Sequence, residues 1–539
     1  MSEGPLLSRL RAFGIPRALL WTGVGVFAAL LLLLYGTRAE AIQGQLADVP
    51  ATIMVVVALV VGTALHTTEA SRRLADVVAR PRSLILISLV AFVVLAVGSL
   101  LVFGTTPLSS DEKVHLFQAR LFAQFKATGS YPAALVDQII PPGYENSFIL
   151  VAKDGRAMSV YWPGWALMMT PFVWLGAPWL LGPVVASAGL YVLGRLTSLL
   201  SSAKAAAVAV LLAVTSGSFI VTGMSLYPAG GHLSLNLLYA WLLLRGGRRD
   251  VLLAGLVGGL ALNLNNPVPH ATFALPWLIW LAVDRTRRGR LVWLAAGYAP
   301  WLIVFFGWFL AMSSLRVPAQ GGTGGFWEGR FPLLVNLPTL DVLGLRFWEL
   351  VRVWTWSAPG LLLLAALGWW RSSWRSAAWV LGVSFGVTVV LYALFPAGQG
   401  LGWGARYYQS AWGALPILAA LLLIRPDKEA LSRVAVVAAL AGLVLVVPIQ
   451  VVYAHGLAQA DQAGPVSVQA LSSPGVDLYF VNFAATEDTS ITLWDDPSLS
   501  GPLVFRSKGP AADQQFVDRW FPGAQLVVSN SSGNGYARR

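Results

Sequence analysis

The feature that most constrains this chain is a recurring run of about twenty apolar residues, repeated along most of its length. A bilayer core about 30 Å thick is crossed by a helix of roughly 20 apolar residues. Lipid offers no partner for backbone polar groups, so such runs must be helical. Thirteen candidate spans stand out, at about 18–36, 51–68, 83–105, 178–195, 205–222, 232–244, 251–265, 269–283, 291–312, 351–370, 376–396, 409–424 and 434–454. Two of them, 251–265 and 269–283, are short and flank Asn-Asn-Pro-Val-Pro at 265–269, the pattern of one broken hairpin. Composition agrees: 56% of the 539 residues are hydrophobic and only 12% charged, against about 25% charged in soluble domains. A water-soluble fold, disorder and fibrous repeats are excluded. The absence of Cys excludes disulfides, Cys-ligated zinc, iron–sulfur centres and thiol catalysis.

The first span lacks a small-residue cleavage pattern and is too long for a secretory signal. Orientation follows from Lys and Arg in short loops. With the N-terminus cytoplasmic, the inner segments hold Arg9, Arg11, Arg17, then Arg72, Arg73, Arg80, Arg82, and so on through Arg285, Arg287, Arg288, Arg290 to Arg425, Lys428 and Arg433. They collect 21 of the 37 basic residues in a small share of the chain. The net charge of +12 is therefore a topology signal, and no nucleic-acid partner is expected. All long polar segments fall on the outer face: about 106–177, 313–350, 397–408 and the tail from about 455. Chemistry is expected there.

Ser109–Lys126 reads SSDEKVHLFQARLFAQFK. Ser110 is a candidate N-cap, and Asp111 and Glu112 favour a first helical turn. Val114, Phe117, Leu121 and Phe125 recur at helical spacing, which suggests a helix lying on the membrane with its apolar edge down. Asp111, His115 and Gln118 flank that stripe. Further on, Tyr161-Trp162-Pro163-Gly164-Trp165 makes a turn, and 166–176 is too short to span and reads as a juxtamembrane helix. After about 455 the apolar runs stop, and Val476–Phe483, Ser490–Trp494 and Leu503–Arg506 read as short strands. Val517–Phe521 reads as a helix or an edge. Gly321–Gly325 follows no strand and is not a nucleotide cradle. No His, Asp or Glu cluster has metal-ligand spacing.

Taken together these pieces resemble the GT-C superfamily of polytopic glycosyltransferases, and most of all the family 39 and aminoarabinose-transferase branch in its bacterial members. The resemblance rests on four elements: DEKVHLFQARLF at 111–122, YWPGWALMMTP at 161–171, the order of spans with the Pro-broken hairpin near 263–269, and Gly404-Ala405-Arg406-Tyr407-Tyr408 followed by Ala-Leu-Pro at 414–416. It covers roughly 83–424. The acidic loop follows the third span here rather than the first, which an extra N-terminal hairpin explains. Asn266-Pro267 stands where relatives often carry a cation, and Trp162 replaces the first Pro of the usual pair.

The resemblance implies an all-α polytopic membrane fold of about 13 spans with outer juxtamembrane helices and a small C-terminal α/β or β domain. The expected parts are an extra hairpin at 1–82, a transmembrane catalytic module at 83–454 with outer loop 106–177, and an extracytoplasmic domain at 455–539. It implies a sugar carried on a polyprenyl phosphate within bacterial inner-membrane lipid, and a glycan, lipid or protein acceptor. Asp111 is the candidate general base, with Glu112 second, because an acceptor hydroxyl must lose its proton during attack. Inversion at the anomeric carbon is expected. Arg406 is the candidate phosphate partner, since a guanidinium binds phosphate oxygens bidentately. Tyr407, His115, His232, Tyr161 and Arg330 are the further substrate-binding candidates, with Lys113 behind them. No cofactor and no obligatory metal is expected. A transporter or flippase of lipid-linked sugars is the competing class, but it should show mid-span charges and internal repeats; a catalytically inactive scaffold is a third.

The absence of Cys makes the topology directly testable. A single Lys126→Cys should react with a membrane-impermeant maleimide in intact cells or spheroplasts, whereas Arg285→Cys should react only after permeabilisation. The reverse pattern would invert the assignment of faces.

Overall fold

The computed structural model describes residues 80–136, 148–315, 338–395, 404–424, 430–462, 466–482 and 502–538. The first two expected spans and Arg330 lie outside the described residues. So does the expected strand at 490–494.

The chain runs from a long apolar helix α1 (Pro81–Phe103) to α2 (Ser110–Ala123), then through three short strands, β1 (Gly129–Ser130), β2 (Ile149–Val151) and β3 (Arg156–Ser159), to α3 (Gly164–Trp174). A helical bundle follows: α4 (Leu181–Leu200), α5 (Ala203–Val214), α6 (Gly217–Met224), α7 (Ala229–Arg245), α8 (Arg248–Leu262), α9 (Val268–Val283) and α10 (Arg290–Leu315). Beyond 338 come α11 (Leu340–Trp356), α12 (Leu361–Trp370), α13 (Ala377–Ala393), the short α14 (Gln409–Trp412), α15 (Ala414–Leu423), α16 (Ala430–Ala441) and α17 (Val447–Gln462). The tail adds the one-turn α18 (Val466–Gln469), β4 (Leu478–Val481), β5 (Leu503–Arg506), α19 (Pro510–Trp520), β6 (Gln525–Asn530) and β7 (Gly533–Ala537).

Long apolar helices are fewer than the apolar runs suggest. Among the described residues four are long and apolar enough to cross a membrane, or up to six if two bent pairs each count as one span. The α5/α6 pair bends by 66° at Thr215-Ser216, and α11/α12 bends by 102° at Ser357–Gly360. Three shorter apolar helices are α9, α13 and α15. The physical reason is local: Ser, Thr, Pro and Gly inside the apolar runs offer alternative bonding or remove it. Ser216, for example, turns its hydroxyl onto Leu212 O and accepts from Ala358 N, which joins the two bends.

Between apolar helices in lipid, close packing replaces the hydrophobic effect as the adhesive, and small residues permit it. A two-sided example is α8 on α10. A Cβ on Gly255 would sit 2.2 Å from the carbonyl oxygen of Leu294, and one on Gly297 would sit 2.2 Å from that of Leu252.

The surface-lying picture of the acidic helix is corrected. Val114, Phe117 and Leu121 of α2 do not face lipid. They share one buried cluster with Tyr131, Ile149 and Val151 of the loop and with Leu478, Phe480, Phe505, Val517 and Tyr536 of the tail. The opposite side of α2, at Leu116 and Ala119, packs with Trp165 and Met169. Of the stripe, Phe125 alone, past the end of the helix, is open, at 89% exposure. The helix is thus covered on both sides, and its stripe is a core stripe. Its N-cap is Ser109 rather than Ser110. Ser109 accepts from Glu112 N, and the Glu112 side chain accepts from Ser109 N, closing a capping box.

Loop and tail each build a small sheet. The loop's three strands are antiparallel in the order β1-β3-β2. The tail's four run β5-β4-β7-β6, with β4 and β5 parallel and the other pairs antiparallel. The hairpin β6–β7 was not among the expected strands, although Asn and Gly at its turn are the usual signal. The region 517–521 belongs to helix α19 as far as Trp520.

Gly255→Val should therefore be costly, since overpacking a tight contact costs about 1–3 kcal/mol. A Cβ added at Gly307, in the same partner helix, would meet nothing within 4 Å, and Gly307→Ala should leave stability unchanged or slightly higher. Thermal unfolding of the detergent-solubilised variants checks both; equal midpoints would show that the α8/α10 contact is not limiting.

Candidate active site

The site is assembled by backbone before any reactive side chain is considered. The turn Tyr161–Trp165 lies against the break between α8 and α9: Trp162 N, Gly164 N and Trp165 N donate to the carbonyls of Asn265, Asn263 and Leu264 at 3.1, 2.8 and 2.8 Å. Those carbonyls and donors would otherwise be unpaired, which is costly for buried backbone. Gly is required at 164, because a Cβ there would lie 2.7 Å from Asn263 O. Trp165 Nε1 donates to Leu226 O at 2.7 Å, which ties the same turn to the approach to α7. Asn266 belongs to this break: its Oδ1 accepts from Val268 N and starts α9.

On this frame the acidic helix presents Asp111. The Tyr161 hydroxyl donates to Asp111 Oδ1, and Asp111 Oδ2 lies 3.8 Å from Arg406 Nη1. The sequence separated these groups widely, and the fold brings them together. Arg406 sits in a 3-10 turn, Arg406–Tyr408, with its guanidinium carbon 4.5 Å from the centroid of Tyr227. Its side chain is only 6% exposed, yet Nε and Nη1 have no hydrogen-bond partner among the described residues. A small recess between Val221, Thr222, Ser225, Tyr227, Trp356 and Gly404 opens on Arg406. Burial pushes the Tyr227 phenol well above its usual range, with Arg406 opposing the rise.

The other candidates divide. Glu112 is buried, and its Oε2 accepts from Leu108 N and Ser109 N at 2.6 and 2.9 Å. Burial pushes its carboxyl up to about 7, against the pull of those two N–H groups and of Arg406. Its carboxylate is occupied with the helix start, so it is badly placed as a second base. His115 is fully buried and stacks on the Tyr161 ring at 5.1 Å. Burial pushes it down to about 3, with His232 nearby adding to the effect, so it is neutral at physiological pH. Neither of its ring nitrogens has a partner among the described residues. His232, in α7, pairs its Nε2 with Asn265 Oδ1 at 2.7 Å, which fixes the broken hairpin to the bundle.

Tyr407 packs on the α13 side of the Arg406 turn. It stacks on Tyr392 at 4.6 Å, and burial pushes its phenol up to about 12. Sequence reasoning missed Tyr227, Asn265 and a buried trio on α11: Arg346, Glu349 and Arg352. The signal was present in LRFWELVRVW, where three charges recur at every third position and so share a helix face. Among the described residues no group of three or more His, Asp or Glu is placed to hold a metal ion.

No protein-family model matches the sequence, and no curated protein matches it. Among solved structures, ArnT from Cupriavidus metallidurans in the apo state superposes with a TM-score of 0.51 and 14% sequence identity, covering 84% of this chain and 97% of that one. The chain shares the fold of ArnT. The same ArnT bound to undecaprenyl phosphate gives 0.49 at 15% identity, over 84% and 98% of the two chains, and at that value adds nothing to the fold assignment. Nearly all of the ArnT length is matched, so the likeness is to a whole fold rather than to a piece of one.

The raised Glu112 carboxyl has a consequence for stability. A folded value of about 7 against an ordinary 4.5 means that the folded state binds this proton more tightly than the unfolded chain does. The contribution is fully present below about pH 4.5 and is lost as pH rises through about 7. Wild-type protein should lose thermal stability between those limits, and Glu112→Gln, which keeps a capping oxygen, should flatten that part of the profile. An unchanged slope in the variant would place the titration elsewhere.

Proposed function

We propose that this protein is a membrane glycosyltransferase. It moves a sugar from a polyprenyl-phosphate donor to a hydroxyl group of an envelope acceptor, at the outer face of the cytoplasmic membrane. The observation that carries the reading is the meeting of Asp111 with a buried Arg406 whose hydrogen-bonding capacity is largely unspent. The ArnT fold supports it.

The groups have complementary tasks. The acceptor oxygen attacks the anomeric carbon from the side opposite the phosphate, and the bond between that carbon and the phosphate oxygen breaks. The bonding electrons stay with the departing polyprenyl phosphate, and the configuration inverts. The acceptor proton passes to Asp111. Tyr161 occupies Oδ1, so Oδ2 is the oxygen left for the proton. Arg406 holds the leaving phosphate, whose oxygens supply the partners that Nε and Nη1 lack; a buried donor without a partner costs about 1–3 kcal/mol. Binding of the phosphate also draws the guanidinium's charge away from Asp111. Tyr227 backs the guanidinium face.

Glu112 is proposed as a positioning residue that fixes the start of α2, and His115 as the neutral platform behind Tyr161. Arg406 is a fixed cation for the phosphate, so no metal is assigned a role. The C-terminal sheet, which shares a core with α2, is proposed to shape the acceptor side.

The test uses purified full-length protein in liposomes with a polyprenyl-phosphate sugar. Asp111→Asn should lower transfer by at least about 100-fold, the scale of a lost general base, while polyprenyl-phosphate binding persists. Arg406→Ala should weaken that binding at least tenfold. Mass spectrometry of envelope glycans from a deletion strain should reveal the acceptor by the residue it loses. Full transfer by Asp111→Asn would remove the reading.

A further inference from the structure

The stretch that presents Arg406 is held from its far side by a buried ion pair that the reaction itself does not use. Arg346 and Glu349 lie on α11 with side chains 4% and 2% exposed, their charged groups in direct contact. The Arg346 guanidinium also donates to the carbonyl of Phe395, and its centre lies 5.1 Å from the ring centroid of Tyr407. Tyr407 in turn stacks on Tyr392, at 4.6 Å and an interplanar angle of 13°, and meets Phe395 edge-on at 5.9 Å. One guanidinium therefore grips both ends of the connection from α13 to the Arg406 turn: the exit at Phe395 and the return at Tyr407.

Arg406 has little else to orient it. Among the described residues its guanidinium meets the face of Tyr227 and an Asp111 oxygen 3.8 Å away, and Nε and Nη1 make no hydrogen bond. Its position must come from its backbone, which is anchored by the buried Tyr408, packed on Phe385 and Tyr392, and by Tyr407, the neighbour that meets the Arg346 guanidinium. A buried ion pair is weak evidence for stability, because well-packed apolar residues often replace one without loss. Its retention here needs another reason, and geometry supplies one.

We propose that the Arg346–Glu349 pair is a positioning device for Arg406, acting through the ring of Tyr407. The proposal rests on the reading of Arg406 as the phosphate-binding residue. Arg346 touches no substrate; it sets the angle at which a second guanidinium meets one.

The experiment measures binding of polyprenyl phosphate to the detergent-solubilised full chain, with thermal unfolding in parallel. The double variant Arg346→Met with Glu349→Leu removes both charges together and leaves no lone buried ion. It should keep its unfolding midpoint within a few degrees and weaken binding at least tenfold. In an Arg406→Ala background the same double change should alter the remaining affinity by less than twofold, since there is no guanidinium left to aim. Tyr407→Phe, which keeps the ring, should bind like wild type, and Tyr407→Leu should match the double variant. Unchanged affinity in the double variant, or an equal further loss in the Arg406→Ala background, would overturn the proposal. If the double variant does not fold, the Tyr407 pair decides alone: equal affinities of the Phe and Leu variants overturn it, and a loss confined to Leu supports it. Failure of wild type to bind polyprenyl phosphate would instead strike the functional reading beneath it.

Discussion

The arrangement depends first on three backbone hydrogen bonds, from Trp162, Gly164 and Trp165 into the break at Asn263–Asn265. A broken helix inside a bundle is tolerable only where something satisfies the freed carbonyls. The turn after β3 does this, and in doing so it locates Tyr161. Tyr161 then holds Asp111 and supports His115, while Asn265 Oδ1 reaches His232 in α7. Loop, hairpin and bundle are thus joined by main-chain bonds that no surface substitution can easily disturb. The main-chain join of turn to hairpin requires the lack of a side chain at 164.

On that frame the fold keeps two kinds of charge. Arg346 is held by a carboxylate in direct contact, a carbonyl and an aromatic face. Arg406 has an aromatic face and a carboxylate 3.8 Å away, with donors to spare. A buried guanidinium left short of partners is expensive, and a protein retains it where a visiting anion completes the set. The two arginines differ in how closely a carboxylate engages them: Glu349 is in direct contact with Arg346, while Asp111 stands 3.8 Å from Arg406.

Much of this was legible in the residues. The acidic helix, the Trp-Pro-Gly turn, the broken hairpin and the Arg-Tyr-Tyr element each carry a local signature, and the fold brings them together. The roles within each signature were less legible. Asp111 and Glu112 are adjacent, yet a helical step of about 100° sends one toward Arg406 and the other back to its own N-cap. The apolar stripe Val114–Leu121 read equally well as a lipid-facing edge, because periodicity shows that a face is buried but not what buries it. The cover comes from the tail, whose partner cannot be guessed from either stretch alone. Span counting suffered for a similar reason. Hydropathy sums over Ser216 and over Ser357–Gly360, where the backbone turns, and so joins pieces that the chain separates. The charges of α11 were overlooked because they were split between an outer segment and an apolar run.

The shared core of α2 and the tail has an implication for biogenesis. Val114, Phe117 and Leu121 emerge from the ribosome early, while Phe480, Phe505 and Tyr536, which belong to the same cluster, are translated after every helix of the bundle. The acidic helix is covered at first only by Tyr131, Ile149 and Val151 of its own loop, and the rest of its apolar flank waits for the tail strands. Completion of that core depends on residues made after the bundle, so a product clipped before Phe480 would lack part of the cover of α2.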